Sequence, residues 1–585
     1  MNFKNELNKI AEEAFQKAGF DPKYGKVTVS NRPDLCEYQC NGALAAAKEY
    51  HTAPIKIAEA IAPYFLENGA FSKAEAVAPG FINLDLSTAF LADFAAGMAD
   101  SPKFGMELPA PRRILLDYGG PNVAKPLHIG HLRTAIIGES VKRILRYTGN
   151  EVIGDIHLGD WGLQFGLIIE ELRDRRPELP YFNPEFTGEY PKTAPFTLSE
   201  LEEIYPAASA RSKTDEAFMA RAHERTFLLQ KEDPATVALW KHIMALSIPD
   251  EKRLYDYLDV HFELWRGESD AAPAVPEVVS IVKDKGLARV SEGALIVDVM
   301  EESDKREVPP CIILKSDGAA LYQTTDLGTI ILRMREFDPD MMIYVTDKRQ
   351  ELHFTQVFRV ARKAGIVRPE TELVHIGYGT MNGKDGKPFK TRAGGVMRLE
   401  SLISEVEEAV REKMRERYDD EELNEDTVRL VALAAIKYGD LSNQAAKDYN
   451  FDIDRFASFE GNTGPYILYT IVRIRSILKK AGREEIVPGD LSVLRNAAPG
   501  CKELLKVLAG FTDMMDEAAG DLAPHKICSY IYQLSDAFNS FYHETPILRE
   551  EDDALRNGYL SLLALVKCVL EDCIDMLGFS APEKM

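Results

Sequence analysis

Apolar and polar residues follow two different patterns in the two parts of this chain. Between about residues 110 and 400, short apolar runs at 114–116, 152–153, 342–345 and 373–376 are each followed by a loop and a helical stretch. From about 402 to 585, apolar residues recur every three or four positions, with no long strand. The first pattern is typical of a parallel α/β sheet, and the second is typical of a helical bundle.

A smaller region precedes the α/β region, and an insertion interrupts it. Residues 1–108 hold two helical stretches with short strands, and the prolines of 109–113 mark a linker. Residues from about 183 to 300 form a charged, helical stretch around Trp240 and then a hairpin-like segment. We interpret this stretch as an insertion into the sheet domain.

Turn-forming residues predict two further boundaries. Asp317 and Gly318 predict a tight turn between two strands, after which a helix runs to Phe337. In the helical region, Gly464, which precedes a proline, begins a helix that Gly482 ends.

Composition indicates a large globular protein outside the membrane. The 585 residues, 45% of them hydrophobic, exceed one hydrophobic core and predict two to four domains. The chain has no run of about eighteen apolar residues, and its amphipathic N-terminus lacks a signal-peptide core, so we expect a cytoplasmic location. The seven cysteines lack the spacing of a zinc site or a disulfide framework. We expect no metal site and interpret Cys36 and Cys40 as buried thiols.

The net charge of −23 is unusual for a protein that binds nucleic acid, because phosphate contacts normally come from a basic surface. Global charge does not exclude a local basic groove, and two clusters of basic residues stand out. They are Lys384, Lys387, Lys390 and Arg392 in one loop, and Arg473, Arg475, Lys479 and Lys480 along one helix. A solvated helix face explains the second cluster equally well.

The segment PNVAKPLHIGHLR, residues 121–133, carries the strongest chemical signal. It follows an apolar run and opens a helical stretch, so His128 and His131 lie three residues apart on a first helical turn. Gly130 between them lets a ligand approach the backbone. A helix N-terminus supplies free N–H groups and partial positive charge, and the imidazoles add further donors. The segment therefore predicts a site for nucleotide phosphates.

The string HIGH is the signature of class I aminoacyl-tRNA synthetases, and residues 121–133 as a whole resemble the arginyl-tRNA synthetase family. Similar strings extend this resemblance over nearly the whole chain. They are 31–48, 79–87, GDWGLQFG at 159–166, YQTTDLG at 322–328, RQELHFTQVF at 349–358, GKDGKPFKTRAGG at 383–395, 459–478 and 524–548.

The resemblance implies a three-domain enzyme. Residues 1–108 would form an N-terminal α/β domain that contacts the tRNA elbow, residues 109–401 a Rossmann-type catalytic domain with the insertion, and residues 402–585 an all-α anticodon-binding bundle. The implied reaction activates arginine with ATP and Mg²⁺ to arginyl-adenylate and transfers the arginyl group to the terminal adenosine of tRNA. The family further implies a monomer and a role for tRNA in activation.

The resemblance also implies roles for particular residues. Phosphate-binding and catalytic candidates are His128, His131, Lys125 and Lys390, with Gly130 and Lys387 as further ATP contacts. Candidates for binding arginine are Asp117, Asn122, Tyr322, Asp326 and Gln350. Asp326 also suits a helix N-terminus, and Asp160 and Trp161 are interpreted as structural. Gly119 and Gly120 stand where the family often has serine, which puts a side-chain hydroxyl contact there in doubt.

The lysine-rich loop departs from the class pattern. The general signature KMSKS is KPFKT at residues 387–391, which keeps its lysines at the first and fourth places. Lys390 is the preferred catalytic position, and Lys125 matches a lysine that arginyl enzymes share just before HIGH. The sequence does not decide which of Lys125, Lys387 and Lys390 contributes most.

The family implies two sets of tRNA contacts. In the N-terminal domain they are Phe81, Asn83, Tyr38, Gln39 and Asn41. In the helical bundle they are Tyr466, Tyr542 and the C-terminal Met585. Aromatic rings and amides suit unstacked bases, but aromatic residues in strands and helices are also common core residues.

Three other functions compete with an arginine–tRNA ligase. A class I synthetase for another amino acid is disfavoured by Asp326 with Tyr322. A non-catalytic RNA-binding paralogue would be expected to lose a histidine of HIGH or the loop lysines, and all are present. A small-molecule nucleotidyltransferase would not need the long helical region.

Overall fold

The computed structural model describes residues 2–387, 397–416 and 424–585. Contacts divide the chain into two units. One comprises 1–109, 413–442 and 455–585, and the other comprises 110–412 and 443–454. None of the helices that the structure describes combines the length and apolar character needed to cross a lipid bilayer. All seven cysteines are free thiols, and Cys36 and Cys40 are buried as predicted.

The N-terminal region is an α/β domain with four helices, two more than the sequence predicts. Its elements are α1 (Phe3–Lys17), β1 (Val27–Val29), β2 (Tyr38–Cys40), α2 (Gly42–Tyr50), α3 (Pro54–Phe65), β3 (Phe71–Val77), β4 (Phe81–Leu86) and α4 (Thr88–Ala99). The strands form an antiparallel sheet in the order β1-β2-β4-β3. The amphipathic α1 buries Phe3, Leu7 and Phe15 on one face, which explains its sequence pattern.

A four-stranded parallel sheet forms the centre of the second unit. Its first half comprises β5 (Arg113–Asp117), α5 (Ile129–Tyr147), β6 (Glu151–Asp155) and α6 (Leu163–Arg175). The predicted insertion holds α7 (Leu198–Arg211), α8 (Glu216–Gln230), α9 (Pro234–Tyr257), α10 (Glu268–Ala271), α11 (Val275–Asp284), β7 (Ala288–Ser291) and β8 (Ala294–Val297), and β9 (Cys311–Leu314) follows it. The second half comprises α12 (Tyr322–Phe337), β10 (Met341–Asp347), α13 (Glu351–Lys363), β11 (Glu372–Tyr378), β12 (Met381–Asn382) and α14 (Leu399–Arg415).

The central sheet has the order β11-β10-β5-β6, so the four apolar runs of the sequence are its four strands. Buried side chains of this sheet, including Leu115 and Met342, pack against Leu327 and Ile330 of α12 and Val357 of α13. Each such side chain contributes about 1.5–3 kcal/mol by its burial. This packing fixes α12, which carries several polar side chains described below.

The predicted turn at residue 318 forms, but the predicted strand after it does not. Gly318 has a φ of +84°, and the N–H of Lys315 donates to the carbonyl of Ala319. Beyond the turn only a single bridge joins Leu314 to Ala320. The chain has no room for a longer strand because α12 begins at Tyr322.

The C-terminal part is helical. It comprises α15 (Glu425–Leu441), β13 (Tyr449–Asn450), α16 (Ile453–Phe456), α17 (Gly464–Ala481), α18 (Pro488–Leu491), α19 (Pro499–Ala509), α20 (Phe511–Gly520), α21 (Pro524–Glu544) and α22 (Asp553–Met576). As predicted, α17 begins at Gly464 and ends at Gly482, whose φ is +65°. The expected boundary at residue 402 falls inside α14. Residues 443–454 group with the sheet unit, because β13 pairs with β12.

Candidate active site

The HIGH turn, residues 128–131, forms the N-cap and the first turn of α5, downstream of β5. His128 is the N-cap of α5, and its Nδ1 accepts the backbone N–H of Gly130 at 3.0 Å. His131 Nδ1 accepts the backbone N–H of His128 at 3.1 Å. The two rings stack with their centroids 3.8 Å apart. Both histidines therefore cap the helix through the same ring atom.

This arrangement fixes which atom of each ring carries the proton. Burial, together with the nearby Lys125, lowers the pKa of His128, and burial lowers the pKa of His131 to about 3. Both rings are therefore neutral at pH 7. Because each Nδ1 accepts a hydrogen bond, the proton lies on Nε2. Each histidine thus presents one Nε2–H donor next to the positive end of α5.

Gly130 is required for a reason that the sequence does not give. A Cβ at this position would lie 2.7 Å from Cε1 and 2.9 Å from Nδ1 of His128. The space that a side chain would fill is therefore occupied by the histidine ring rather than kept for a ligand. The glycine allows His128 to cap the helix.

The predicted phosphate-binding lysines are described only in part. Lys390 lies outside the described residues. Lys387 is exposed, and Lys125 is half-buried with its Nζ 4.8 Å from the ring centroid of Tyr205. The backbone N–H of Ile129 donates to the carbonyl of Met397. The chain that leaves the lysine-rich loop is thus attached to the HIGH turn.

An acidic pocket is built from α10 and α12. We define it as Glu268, Asp326 and Tyr322. Asp326 Oδ2 lies 2.5 Å from Nε2 of His353, and Tyr322 is exposed beside it. Glu268 is largely buried and interacts with His157, Asp160 and Asp326. Burial, reinforced by the acidic neighbours, raises the pKa of Glu268 to about 7.

Sequence reasoning missed Glu268. It is the first residue of α10, where an acidic side chain is ordinarily explained by the helix dipole. Its burial and its proximity to Asp326 come from the packing of α10 beside α12, so neither is visible in one sequence. Two neighbouring carboxylates, one of them in contact with His353, lie beside an exposed tyrosine and suit a planar cation that donates several hydrogen bonds.

The predicted arginine contact Asp117 is already paired within the chain. Its Oδ2 accepts from Nη2 of Arg333 at 2.6 Å, and the same Nη2 donates to Oδ2 of Asp155 at 2.7 Å. Arg333 is fully buried and extends from α12. Burial raises the pKa of Asp117, and the guanidinium opposes this effect. The triad of Asp117, Asp155 and Arg333 lies where β5 and β6 end.

Of the remaining predicted residues, Asn122 and Gln350 are exposed, whereas Asp160 and Trp161 make internal contacts. Asn122 is exposed and its backbone bridges Gly159, whereas Gln350 is exposed just before α13. Asp160 is structural as interpreted: it is buried and accepts the backbone N–H and the hydroxyl of Ser269. Trp161 packs edge-on against Trp240, which agrees with its structural interpretation.

Gly119 shows why serine is absent there. Its φ is +89°, and a Cβ would lie 2.8 Å from Cζ of Phe262. A side chain at this position would be strained and would displace the phenylalanine ring. Only backbone groups of residue 119 are available to the site.

The predicted N-terminal RNA contacts differ in accessibility. Asn83 is buried, and its Oδ1 accepts from Gln39 Nε2 at 2.9 Å across β2 and β4. Tyr38 is half-buried against Phe3, Phe81 is half-buried at the start of β4, and Asn41 is exposed before α2. A base that uses the Oδ1 atom of Asn83 would therefore have to displace Gln39.

In the helical region, a side-chain network joins two predicted contacts. Asn539 donates to the hydroxyl of Tyr466 at 2.8 Å and accepts from Arg473 at 2.9 Å. The Arg473 guanidinium lies 4.7 Å from the ring centroid of Tyr469 and 5.5 Å from that of Tyr542. Arg473 was assigned by sequence only to a basic cluster, and the structure shows that it stacks on aromatic rings.

A cavity of about 920 Å³ adjoins this network. It is lined by residues that include Tyr542, Lys479, Lys480, Lys567 and Met585. Arg475 of the same basic cluster is instead structural, because it pairs with Glu571 at 2.8 Å and donates to the carbonyl of Pro582. The basic cluster that the sequence predicts on α17 therefore combines lysines that line the cavity with one arginine that is held in an ion pair.

Three family comparisons cover most of the chain. Residues 2–86 match the arginyl tRNA synthetase N terminal domain, and residues 95–453 match tRNA synthetases class I (R), catalytic domain. Residues 467–585 match the DALR anticodon binding domain. The fold and the site thus define a class I aminoacyl-tRNA synthetase.

Individual relatives narrow the assignment. The chain is 59% identical to the arginine–tRNA ligase of Agathobacter rectalis and 52% identical to that of Alkaliphilus oremlandii, with 99% of each chain covered. It therefore belongs to the arginyl-tRNA synthetase family. Plasmodium falciparum arginyl-tRNA synthetase shares the fold with a TM-score of 0.79 and 25% identity, covering 100% of this chain and 99% of that one. The Thermus thermophilus enzyme gives the same TM-score at 23% identity, covering all of both chains.

Proposed function

We infer that the chain is an arginine–tRNA ligase, which uses ATP to form arginyl-adenylate and transfers the arginyl group to the terminal adenosine of tRNA. The observation that carries this conclusion is the presence of two features in the sheet unit, one at the start of α5 and one on α10 and α12. One is the HIGH turn with its two neutral Nε2–H donors, and the other is the acidic pocket, in which burial raises the pKa of Glu268 to about 7. The first suits phosphate and the second suits a guanidinium.

In the activation step, an oxygen of the arginine carboxylate attacks the α-phosphorus. The new P–O bond forms as the bond to pyrophosphate breaks, and negative charge grows on the phosphate oxygens. His128 and His131 donate their Nε2–H groups to these oxygens beside the N-terminus of α5. Neither ring acts as a base, because the attacking carboxylate is already ionised. Each preorganised donor contributes about a hundredfold to a thousandfold to the rate.

Selection of arginine rests on the acidic pocket. Asp326 and Glu268 offer carboxylate oxygens to the guanidinium, and Tyr322 lies exposed beside them. An amino acid with a neutral side chain would leave Glu268 buried without a cation. This cost disfavours other amino acids more strongly than a loss of apolar contact would.

The phosphates require further positive charge. We propose Lys125, Lys387 and Lys390 as contacts to ATP. Within the described parts of the chain, no cluster of three or more His, Cys, Asp or Glu side chains is arranged to hold a metal ion. Mg²⁺ is therefore proposed to be held mainly by the phosphate oxygens of ATP.

For tRNA, we propose contacts through Phe81, Asn83, Tyr38, Gln39 and Asn41 in the N-terminal domain. Tyr466, Tyr542 and Met585 are proposed to contact the anticodon, supported by their shared surroundings near Arg473 and the basic cavity. A monomeric state and a cytoplasmic location remain predictions, and light scattering coupled to size-exclusion chromatography tests the first.

ATP–pyrophosphate exchange with each common amino acid, with and without tRNA, tests the activity. We expect exchange with arginine alone among the amino acids. His128→Asn keeps a capping acceptor but removes the Nε2–H donor, so exchange should fall about a hundredfold or more while α5 stays folded. His223→Asn, at an exposed position of α8, is the matched control. Exchange with another amino acid, or full activity of the His128 variant, would contradict the proposal.

A further inference from the structure

Two short stretches of the sheet unit run side by side before the chain reaches the acidic pocket. One stretch follows β6, and the other leads into α10. A parallel bridge joins Leu158 to Gly267, and the N–H of Leu158 donates to the carbonyl of Arg266 at 2.6 Å. The N–H of Glu268 then donates to the carbonyl of Leu158 at 3.0 Å. The backbone of Glu268 is therefore held by the segment that runs into the string GDWGLQFG.

Asp160 of this string fixes the start of α10. Its Oδ1 accepts the backbone N–H of Ser269 at 2.9 Å, and its Oδ2 accepts the hydroxyl of Ser269 at 2.5 Å. Asp160 is only 3% exposed. A Cβ on Gly267 would overlap the Asp160 carboxylate, so the close approach requires glycine there. Both carboxylate oxygens thus hold the residue that directly follows Glu268.

The helix α10 needs this support from outside. It has four residues, and isolated helices shorter than about 12–15 residues are marginal in water. Its N-cap is Gly267, which has no side chain to accept the first free N–H groups of the helix. The carboxylate of Asp160 supplies the acceptor that Gly267 lacks. The direction in which Glu268 leaves the backbone therefore depends on Asp160.

Asp160 is itself anchored to the insertion. Trp240 of α9 donates its Nε1–H to the backbone carbonyl of Asp160 at 2.7 Å, and its ring packs edge-on against Trp161. The carboxylate of Glu268 interacts with the backbone amide of Trp161 and with His157. Contacts therefore continue from α9 through Asp160 to the acidic pocket.

We propose that Asp160 is a positioning residue, which caps α10 so that the carboxylate of Glu268 faces the guanidinium of arginine. This inference rests on the proposed function and adds to it a residue that sets specificity without touching the substrate. Without the cap, Glu268 adopts other orientations and the acidic pocket binds a guanidinium less tightly. The HIGH turn belongs to α5, so its donors keep their places.

Calorimetry of arginine binding to the full-length enzyme tests the inference. Asp160→Ala removes both acceptors, whereas Asp160→Asn keeps one acceptor for the N–H of Ser269. Asp160→Ala is also combined with Glu268→Gln. Asp215→Ala is the matched control, because Asp215 caps α8 through the N–H of Phe218 at 2.9 Å, outside the pocket. Circular dichroism confirms folding, and Ser269→Ala, which removes one of the two bonds, replaces Asp160→Ala in the same comparison if that variant does not fold.

We expect Asp160→Ala to weaken arginine binding about five- to thirtyfold, the range that corresponds to the loss of an N-cap. Asp160→Asn should stay within about threefold of wild type, and Asp215→Ala should match it. In the Glu268→Gln background, Asp160→Ala should weaken binding by less than about twofold further, because a positioning residue acts only through the group that it holds.

Pyrophosphate exchange in the presence of tRNA gives a second measurement. Asp160→Ala should raise the KM for arginine and keep the rate at saturating arginine within about threefold of wild type. Unchanged arginine binding, or the full loss of affinity in the Glu268→Gln background, would overturn the inference. A fall in the saturated rate as large as the rise in KM would show a general structural role and would also overturn it. A wild-type enzyme that does not bind arginine would instead refute the proposed function.

Discussion

The raised pKa of Glu268 predicts that arginine binding depends on pH near neutrality. In the free enzyme, burial beside Asp160 and Asp326 raises this pKa to about 7, so about half of the molecules carry a protonated Glu268 at pH 7. A guanidinium in the acidic pocket stabilises the carboxylate form. Arginine binding should therefore release a proton, and its affinity should rise with pH through 7.

The size of the effect follows from the ionised fraction. With a pKa of about 7, Glu268 is about 90% ionised at pH 8 and about 10% ionised at pH 6. If only the ionised form of Glu268 binds arginine well, the affinity for arginine rises about tenfold from pH 6 to pH 8. Above pH 8 the affinity for arginine should change little, because almost every Glu268 side chain is already ionised.

Calorimetry in two buffers of different ionisation enthalpy measures both the affinity for arginine and the number of protons released on binding. Wild type should release about half a proton at pH 7 on binding arginine. Glu268→Gln should bind more weakly and lose the pH slope. Glu251→Gln is the matched control, because burial raises the pKa of Glu251 to about 8 on α9, outside the pocket. The reasoning fails if Glu268→Gln keeps the wild-type slope, or if Glu251→Gln removes it.

Three further predictions concern other parts of the chain. Gly130→Ala should reduce pyrophosphate exchange at least tenfold, because the new Cβ displaces His128, and it should change arginine binding little. The control is Gly520→Ala, which should match wild type because a Cβ there meets nothing within 4 Å. Glu251 is buried, and among the described residues its carboxylate has no hydrogen-bond partner. Because the folded protein keeps its proton up to about pH 8, wild-type stability falls by about 1.4 kcal/mol per pH unit between its ordinary and folded pKa values. Glu251→Gln should therefore raise the thermal midpoint at pH 9 and raise it less at pH 6; an equal gain at both values would contradict this. Tyr542→Ala should raise the KM for tRNA in aminoacylation about five- to 160-fold, because a stacked base contributes about 1–3 kcal/mol. Tyr542→Phe should keep the wild-type KM, and equal effects of the two variants would exclude stacking.

Local signals predicted the parts of the fold that depend on neighbouring residues. The four apolar runs became the central strands, and the glycines at 464 and 482 bound α17 because capping is decided within a few residues. The HIGH turn was located for the same reason. The short strand at 449–450 was missed, because it forms only by pairing with residues 381–382.

The electrostatic partners of the site lie beyond the reach of local signals. Arg333 and Asp155 are 178 positions apart, and in a helical sequence Arg333 resembles an ordinary solvated arginine. Glu268 likewise resembles an acidic residue at a helix start. Their importance comes from burial, which depends on how α10 and α12 pack against the sheet. Such residues require a structure or a comparison of many sequences.

The capping role of the two histidines affects how this motif is used to judge other chains. Selection that acts only on folding would also favour His128 and His131 over side chains without an acceptor atom, because such side chains leave backbone donors of α5 unsatisfied. A duplicated gene that has lost catalysis can therefore retain the full motif for many generations. Genome surveys that count intact HIGH strings would then overestimate the number of active synthetases. The residues of the acidic pocket, which take no part in capping α5, are a further criterion for separating enzymes from inactive descendants.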